Sequence, residues 1–223
     1  MNRYGEFGSY AKSKGISSLA LDYHGQKIEN SLTPYILEER QMNMTQIDVF
    51  SRLMMERIIW VAGVVNDSMS VVTQAQLMFL DSVDQNDITM HVDTPGGSVK
   101  SGLSMVDVMN YISSDIRTVN TGMAASMGSI LLGAGTKGKR CSLKFSRTML
   151  HQSSGGFQGN IQDAEIDMKE WVKTNDQLFE LLGVYCGKSA DQVKQDTSRD
   201  LWLTSEEALA YGIIDEIILK KRK

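Results

Sequence analysis

The sequence predicts an α/β fold. Three short apolar runs rich in β-branched residues, Ile58–Val64, Ile88–Val92 and Ile116–Asn120, are each followed by a stretch with apolar side chains at helical spacing. Such alternation implies parallel strands joined by right-handed crossover helices. Only two prolines occur among 223 residues, so these elements run uninterrupted, and a hydrophobic share of 42% suffices to bury one sizeable core. The chain therefore reads as one domain, or as one domain with an extension.

In chain order, residues 1 to 30 are polar and loosely patterned, with Gly5, Gly8, Gly15 and Gly25 spread through them. The Leu53-Met-Met-Glu56 segment places its methionines at helix-like apolar positions, which suits core packing. After the strand Ile88–Val92 comes Asp93-Thr-Pro95-Gly96-Gly97-Ser98, and then a helical pattern from Val99 to Ile112 in which Met105 and Met109 read as core. Paired glycines let a backbone approach a ligand closely, and their N–H groups can serve as oxyanion donors, hold an extended peptide or simply make a tight turn. The loop has neither the Lys-Ser/Thr ending of a phosphate-binding loop nor the third glycine of a dinucleotide fingerprint, which sets nucleotide binding aside.

The third strand leads into Gly122-Met-Ala-Ala-Ser126-Met-Gly128, a turn of very small residues, and then into a buried helical run, Ser129–Gly133. A serine hydroxyl is a weak nucleophile, and it needs a neighbouring base and backbone N–H donors for the oxyanion it generates. Small neighbours admit both, and a helix N-terminus presents free N–H groups. Ser126 is therefore the candidate nucleophile.

Of the three histidines, His24 lies in the polar N-terminal stretch and His91 in mid-strand. That leaves His151, in Thr148-Met-Leu-His-Gln152 ahead of the glycine-rich Gly155–Gly159, as the candidate general base. An imidazole titrates near neutrality, so it can take a proton from serine and return it to a leaving amine. Among 27 acidic residues, Asp196, Asp200 and Asp215 are the late-chain candidates to orient the imidazole. Asp200 is the most attractive, at the junction with the apolar Leu201-Trp-Leu203, where partial burial is expected; the physics of the sequence leaves the choice open.

From Asn160 to Leu182 runs a long helical pattern carrying Ile161, Met168, Trp171, Val172, Phe179 and Leu182, a stripe that must be buried somewhere. Cys141 and Cys186 show neither CxxC nor metal-ligand spacing and read as structural thiols. The formal charge of −4 and the short Lys/Arg clusters, with Lys220–Lys223 as a solvated tail, point away from nucleic acid. No apolar run of about 18 residues marks a membrane span, and the N-terminus has no signal-peptide core, so a cytoplasmic location and no membrane partner are expected.

Together these segments resemble the ClpP family, the proteolytic subunits of the ATP-dependent Clp proteases. The resemblance begins near Ser31-Leu-Thr-Pro34 and passes through Asp48–Leu53, Glu56-Arg57 and the Pro-Gly-Gly loop. It continues through Gly122–Gly128, Gly135–Arg140, Leu150-His-Gln152, Gly155–Gly159, Asp196–Asp200 and Tyr211-Gly212, leaving only the first 30 residues outside. It implies a ClpP/crotonase-like spiral of ββα units, with a head (about 31–150 and 190–223) and a protruding handle (about 152–183). The roles it implies are Ser126 as nucleophile, His151 as base, Asp200 as orienting acid, and the N–H groups of Gly97 and Met127 as the oxyanion hole.

Further implications are two stacked heptameric rings joined through the handles, an enclosed chamber for unfolded polypeptide, and a partner AAA+ ATPase. That partner hydrolyses the ATP, so no cofactor is expected in this subunit. Residues 1–30 would be a propeptide, removed at or near Asn30–Ser31. Three positions depart from the family's usual pattern. Asp93-Thr94 replaces Asn-Ser and adds a carboxylate near the substrate groove. Ser153-Ser154 replaces Pro-Leu after His-Gln, which is expected to loosen that segment. His91 replaces a tyrosine of the pocket that receives the ATPase's docking loop, which leaves a specialised subunit of a mixed ring in play. A noncatalytic ring subunit and a crotonase-like acyl-CoA enzyme are the competing readings; the full Ser126, His151 and Asp200 set argues against both.

Overall fold

Along Ile88–Thr94 the side chains alternate between the buried Ile88, Met90, Val92 and Thr94 and the more accessible Thr89, His91 and Asp93, the period-two pattern of a strand packed on one face. The computed structural model describes residues 35–40, 43–156 and 160–219. The expected propeptide, residues 1–30, lies outside them.

The described residues fall into two units, divided between Arg52 and Leu53. In the first, β1 (Tyr35–Arg40) and β2 (Asn43–Asp48) make an antiparallel hairpin in which Tyr35 pairs with Asp48 and Arg40 with Asn43. Helix α1 (Val49–Met55) spans the division.

The second unit holds strands β3 (Ile58–Ala62), β4 (Ile88–Thr94), β5 (Ile116–Ala125), β6 (Cys141–Leu143), β7 (Arg147–Leu150), β8 (Leu201–Leu203) and β9 (Glu216–Ile218). Their order is β3-β4-β5-β6-β9, all parallel, with β7 parallel to β5 and β8 antiparallel to β7. The helices are α2 (Asp67–Val83), α3 (Val99–Tyr111), α4 (Met127–Gly133), α5 (Ile161–Cys186), α6 (Ala190–Asp196) and α7 (Ser205–Tyr211). The mixed α/β architecture with a parallel sheet agrees with the fold expected from the sequence.

Local chemistry sets the element ends. Asn66 caps α2 by accepting from the Met69 N–H, Ser98 caps α3 through the Ser101 N–H, and Thr204 with Glu207 makes a reciprocal capping box on α7. Arg57, itself at φ 60°, donates to the carbonyls of Leu80, Asn86 and Asp87, gathering the C-terminal end of α2 and the loop that follows. Helices α2 and α3 are joined by small polar side chains: Ser70 Oγ donates to the Ser101 carbonyl, and Ser101 Oγ donates to Asp67.

The third predicted strand is longer than its apolar pattern suggests. β5 runs on through Gly122 to Ala125, because it changes partners midway. Val119 and Asn120 pair with β6, and Met123–Ala125 pair with β7. At the changeover the fully buried Asn120 donates to the Arg147 carbonyl, while Ser146 Oγ donates to the Asn120 carbonyl. Beyond Asn120 the run Thr121-Gly-Met-Ala-Ala125 holds a glycine and two alanines and no β-branched apolar residue, which hides the strand from a hydrophobic-period reading.

The core joins Leu77 and Leu80 of α2, Met105, Val106 and Met109 of α3, and Leu131 and Leu132 of α4 with the inner faces of β3 to β5. Met54 packs against it, but Met55 is half exposed, contrary to the core role expected for both. Arg140, only 1% exposed, forms a two-pronged pair with Asp215 and also donates to the Tyr185 and Gly212 carbonyls. Those contacts join the C-terminal ends of α5 and α7 to β9. Burial pushes the Asp215 carboxyl up, but hydrogen bonds and charge from Arg140 outweigh it and hold the group below its ordinary value. Cys141 and Cys186 are free thiols; burial pushes the first up and the second up to about 11, so both stay protonated near neutrality.

Candidate active site

Ser126 stands between the end of β5 and the first residue of α4, at φ 55° and ψ −120°. A serine in the left-handed region costs about 1–3 kcal/mol and persists only where its surroundings hold it. Here its N–H donates to the Met149 carbonyl at 2.9 Å, and its carbonyl accepts from Ser129 N–H and Oγ. The bond to Met149 ties the turn to β7, the strand that delivers His151 one residue after its end. The result is a distance of 2.7 Å between His151 Nε2 and Ser126 Oγ.

Asp200 follows α6 and immediately precedes β8, which pairs with β7 through Leu150–Leu201. Its Oδ1 lies 3.6 Å from His151 Nδ1, an ion-pair distance rather than a hydrogen bond. The Asp200 side chain is 61% exposed, against the partial burial expected for it. Leu201 and Leu203 turn toward the core, but the aspartate ahead of them points outward. The competing acids are committed elsewhere: Asp215 to Arg140, and Asp196 to the Tyr211 hydroxyl and the Gln192 amide. Of the three, Asp200 is the one brought to the imidazole.

The glycine loop lies alongside the turn. Gly96 and Gly97 have φ of +95° and +151°, which L side chains rarely adopt. A Cβ on Gly96 would lie 2.6 Å from the Ser126 Cβ, and one on Gly97 would lie 2.3 Å from the Val65 carbonyl oxygen. The loop is held by Val65, whose N–H donates to Gly96 and whose carbonyl accepts from Ser98. Neither the Gly97 nor the Met127 N–H has a protein acceptor among the described residues. Thr94 props the loop from below, donating to the Gly63 carbonyl at 2.5 Å and accepting from Gly96 N–H at 3.0 Å.

The departures noted in the sequence acquire definite contacts. Asp93 Oδ1 accepts from Met123 N–H at 2.9 Å and sits over Gly122, where a Cβ would approach that oxygen to 2.6 Å. Its carboxylate therefore tethers β5 just ahead of the Ser126 turn. Ser153, expected to loosen its segment, instead bonds to Asn175 and Trp171 of α5. A sequence reading that took Trp171 only as part of an apolar stripe misses its indole N–H; the spacing of Trp171 and Asn175, one helical turn apart, is the signal that was there to find.

His91 stacks on Trp60 with ring centroids 4.6 Å apart, on the wall of a cavity of about 900 Å³ also lined by Arg117, Val119, Leu143 and Leu219. Its Nδ1 is buried and has no hydrogen-bond partner among the described residues. Burial, with the neighbouring Arg117 charge, holds the imidazole below its ordinary value. No group of residues with metal-ligand geometry and no helix long and apolar enough to cross a membrane is found among the described residues.

The comparisons with known proteins agree with one another. The chain is 49% identical over 218 residues to the ATP-dependent Clp protease proteolytic subunit of Bacteroides fragilis strain YCH46, covering 97% of this chain and 99% of that one. It is 47% identical over 220 residues to the protein of the same name from Porphyromonas gingivalis strain W83, covering 98% and 99%. The corresponding protein of Bacteroides thetaiotaomicron strain VPI-5482 is 47% identical over 218 residues, covering 97% and 99%. The Clp protease family model matches residues 40–221, and with this extent of similarity the chain belongs to the Clp protease family.

Proposed function

We propose that this protein is the proteolytic subunit of an ATP-dependent Clp protease, a serine endopeptidase that cuts unfolded polypeptide into small peptides. The observation that carries this reading is the 2.7 Å approach of His151 Nε2 to a conformationally strained Ser126 Oγ, with Asp200 behind the other imidazole nitrogen. Ser126 Oγ attacks the peptide carbonyl while His151 Nε2 accepts its proton. The oxyanion that forms is stabilised by the N–H groups of Gly97 and Met127, and Asp200 favours the imidazolium. His151 then protonates the leaving amine, and an acyl-enzyme on Ser126 remains. Water, deprotonated by the same imidazole, attacks the ester and releases the second product.

The assembly reading is two stacked heptameric rings meeting through a handle made of the 152–183 segment. It is supported by α5, whose C-terminal half is buried through Leu178, Phe179 and Leu182 while Ile161, Ile166, Met168 and Val172 stand exposed in the single chain. An apolar row of that length calls for a partner surface. The cavity beneath His91 supports docking of an AAA+ ATPase that hydrolyses the ATP and delivers substrate, with this subunit working without a cofactor. Removal of residues 1–30 and a cytoplasmic location complete the reading.

The test is the intact mass of the purified protein before and after a fluorophosphonate probe. One adduct per chain, absent in Ser126→Ala, on a chain shortened near Ser31, is the expected result. An unlabelled chain that assembles normally indicates a noncatalytic ring subunit. Activity toward an acyl-CoA that survives Ser126→Ala indicates the crotonase chemistry instead.

A further inference from the structure

After β7 ends at Leu150, residues 151–156 belong to no helix or strand, so no ladder holds His151 from its C-terminal side. What does hold that side is Ser153. Its N–H and its hydroxyl both donate to Asn175 Oδ1, at 3.0 and 2.9 Å, and its hydroxyl oxygen accepts from the Trp171 Nε1–H at 2.6 Å. A hydroxyl has one proton to give and lone pairs to spare, so both roles are met at once. The donors run in one direction, from indole to hydroxyl to amide oxygen.

Trp171 and Asn175 are four residues apart on α5 and therefore share a face. Gly155 completes the contact, since a Cβ there would lie 3.1 Å from the Trp171 ring. Ser126, His151, Ser153, Leu178 and Phe179 all line one small cavity. The hydroxyl of Ser153 thus joins the loop that carries the imidazole to the helix whose exposed half is proposed as the handle. A proline, usual at this position in the family, would restrain φ through its ring and have no N–H to give. Here hydrogen bonds controlled by α5 supply the restraint.

We propose that Ser153 is a positioning residue for His151: the Trp171–Ser153–Asn175 bonds hold the imidazole in register with Ser126 and make that register depend on the order of α5. The inference rests on the reading of Ser126 and His151 as nucleophile and base. The exposed half of α5 is the surface offered for ring stacking, so a disturbance there reaches the base through this short polar path.

The experiment compares full-length wild type with Ser153→Ala, Ser153→Thr, Trp171→Phe and the Ser153→Ala/Trp171→Phe double variant. Each is measured for fluorophosphonate labelling rate, for kcat and KM on a short fluorogenic peptide, and for Tm. Ser153→Ala is expected to lower labelling rate and kcat together by about tenfold, with KM within about twofold of wild type. Ser153→Thr restores both to within about twofold, because it keeps the hydroxyl. Trp171→Phe, which removes the indole donor together with the outer ring that packs beneath Gly155, lowers kcat by about threefold, and the double variant falls no further than Ser153→Ala. A wild-type labelling rate and kcat in Ser153→Ala overturns the proposal while leaving the nucleophile assignment standing. So does a loss that follows Tm and is not rescued by threonine. Absence of any Ser126 adduct on wild-type protein overturns the nucleophile assignment and this inference with it.

Discussion

The Ser126 N–H donates to the Met149 carbonyl at 2.9 Å, and this one main-chain bond sets the spacing between the candidate nucleophile and its base. Two residues beyond Met149, the chain presents His151 Nε2 at 2.7 Å from Ser126 Oγ. With the pair proposed to act as a unit, Ser126→Ala, His151→Ala and the double variant should share nearly the same residual peptidase rate, lower than wild type by about 10⁴-fold or more. Steady-state kinetics on a fluorogenic peptide measure this; a double variant far below either single one would break the unit apart.

Asp200 stands 3.6 Å from His151 Nδ1 with most of its side chain in solvent. A screened carboxylate at that distance orients the imidazole less strongly than a buried, hydrogen-bonded one. Asp200→Asn is therefore expected to lower kcat by about 10- to 100-fold, well short of the loss from Ser126→Ala. Equal losses in the two variants would mean that the working enzyme draws Asp200 into a closer, drier contact.

Gly96 and Gly97 separate two effects in one loop. Gly97→Ala would drive a Cβ into the Val65 carbonyl at a φ of +151°, and should lower stability by about 2 kcal/mol or more in chemical unfolding. Gly96→Ala would push directly on the Ser126 Cβ, so its signature is a fall in kcat of about 100-fold, beyond any change in Tm.

Removing Arg140 leaves Asp215 as a largely buried carboxylate without its partner and frees the Tyr185 and Gly212 carbonyls. Arg140→Met should destabilise the fold by about 3–5 kcal/mol, read as a lowered denaturant midpoint. Arg140→Met/Asp215→Leu should recover only part of the loss, since it removes the unpaired charge but leaves the N–H groups of residues 138 and 140 without their carboxylate acceptor.

His91 gives a pH signature. Its folded-state value lies below the ordinary 6.5, so above that pH both folded and unfolded chains hold it neutral and it has no effect on stability. As the pH falls below 6.5 the unfolded chain takes up the proton first, and stability declines until the folded-state value is reached. His91→Phe, which keeps a ring against Trp60, should therefore show a smaller drop in Tm between about pH 7.5 and pH 5.5 than wild type. An identical drop in both would assign that pH sensitivity to other groups.

The α/β alternation, the glycine pair, the small-residue turn around Ser126, the long helix and the singling out of His151 were all legible in the residues alone. Each rests on local information: side-chain period, backbone tolerance, or the scarcity of a residue type. Side-chain pattern alone leaves Asp196, Asp200 and Asp215 open and the family resemblance points to Asp200; the folded chain brings that residue to the imidazole and commits the other two to Tyr211 and Arg140. Only the tertiary structure decided the length of β5, whose last residues pair with a strand more than 20 positions later, and the use of Ser153, whose partners lie 18 and 22 positions away. Periodicity records which face of an element is buried; it carries no record of which distant polar group will stand opposite.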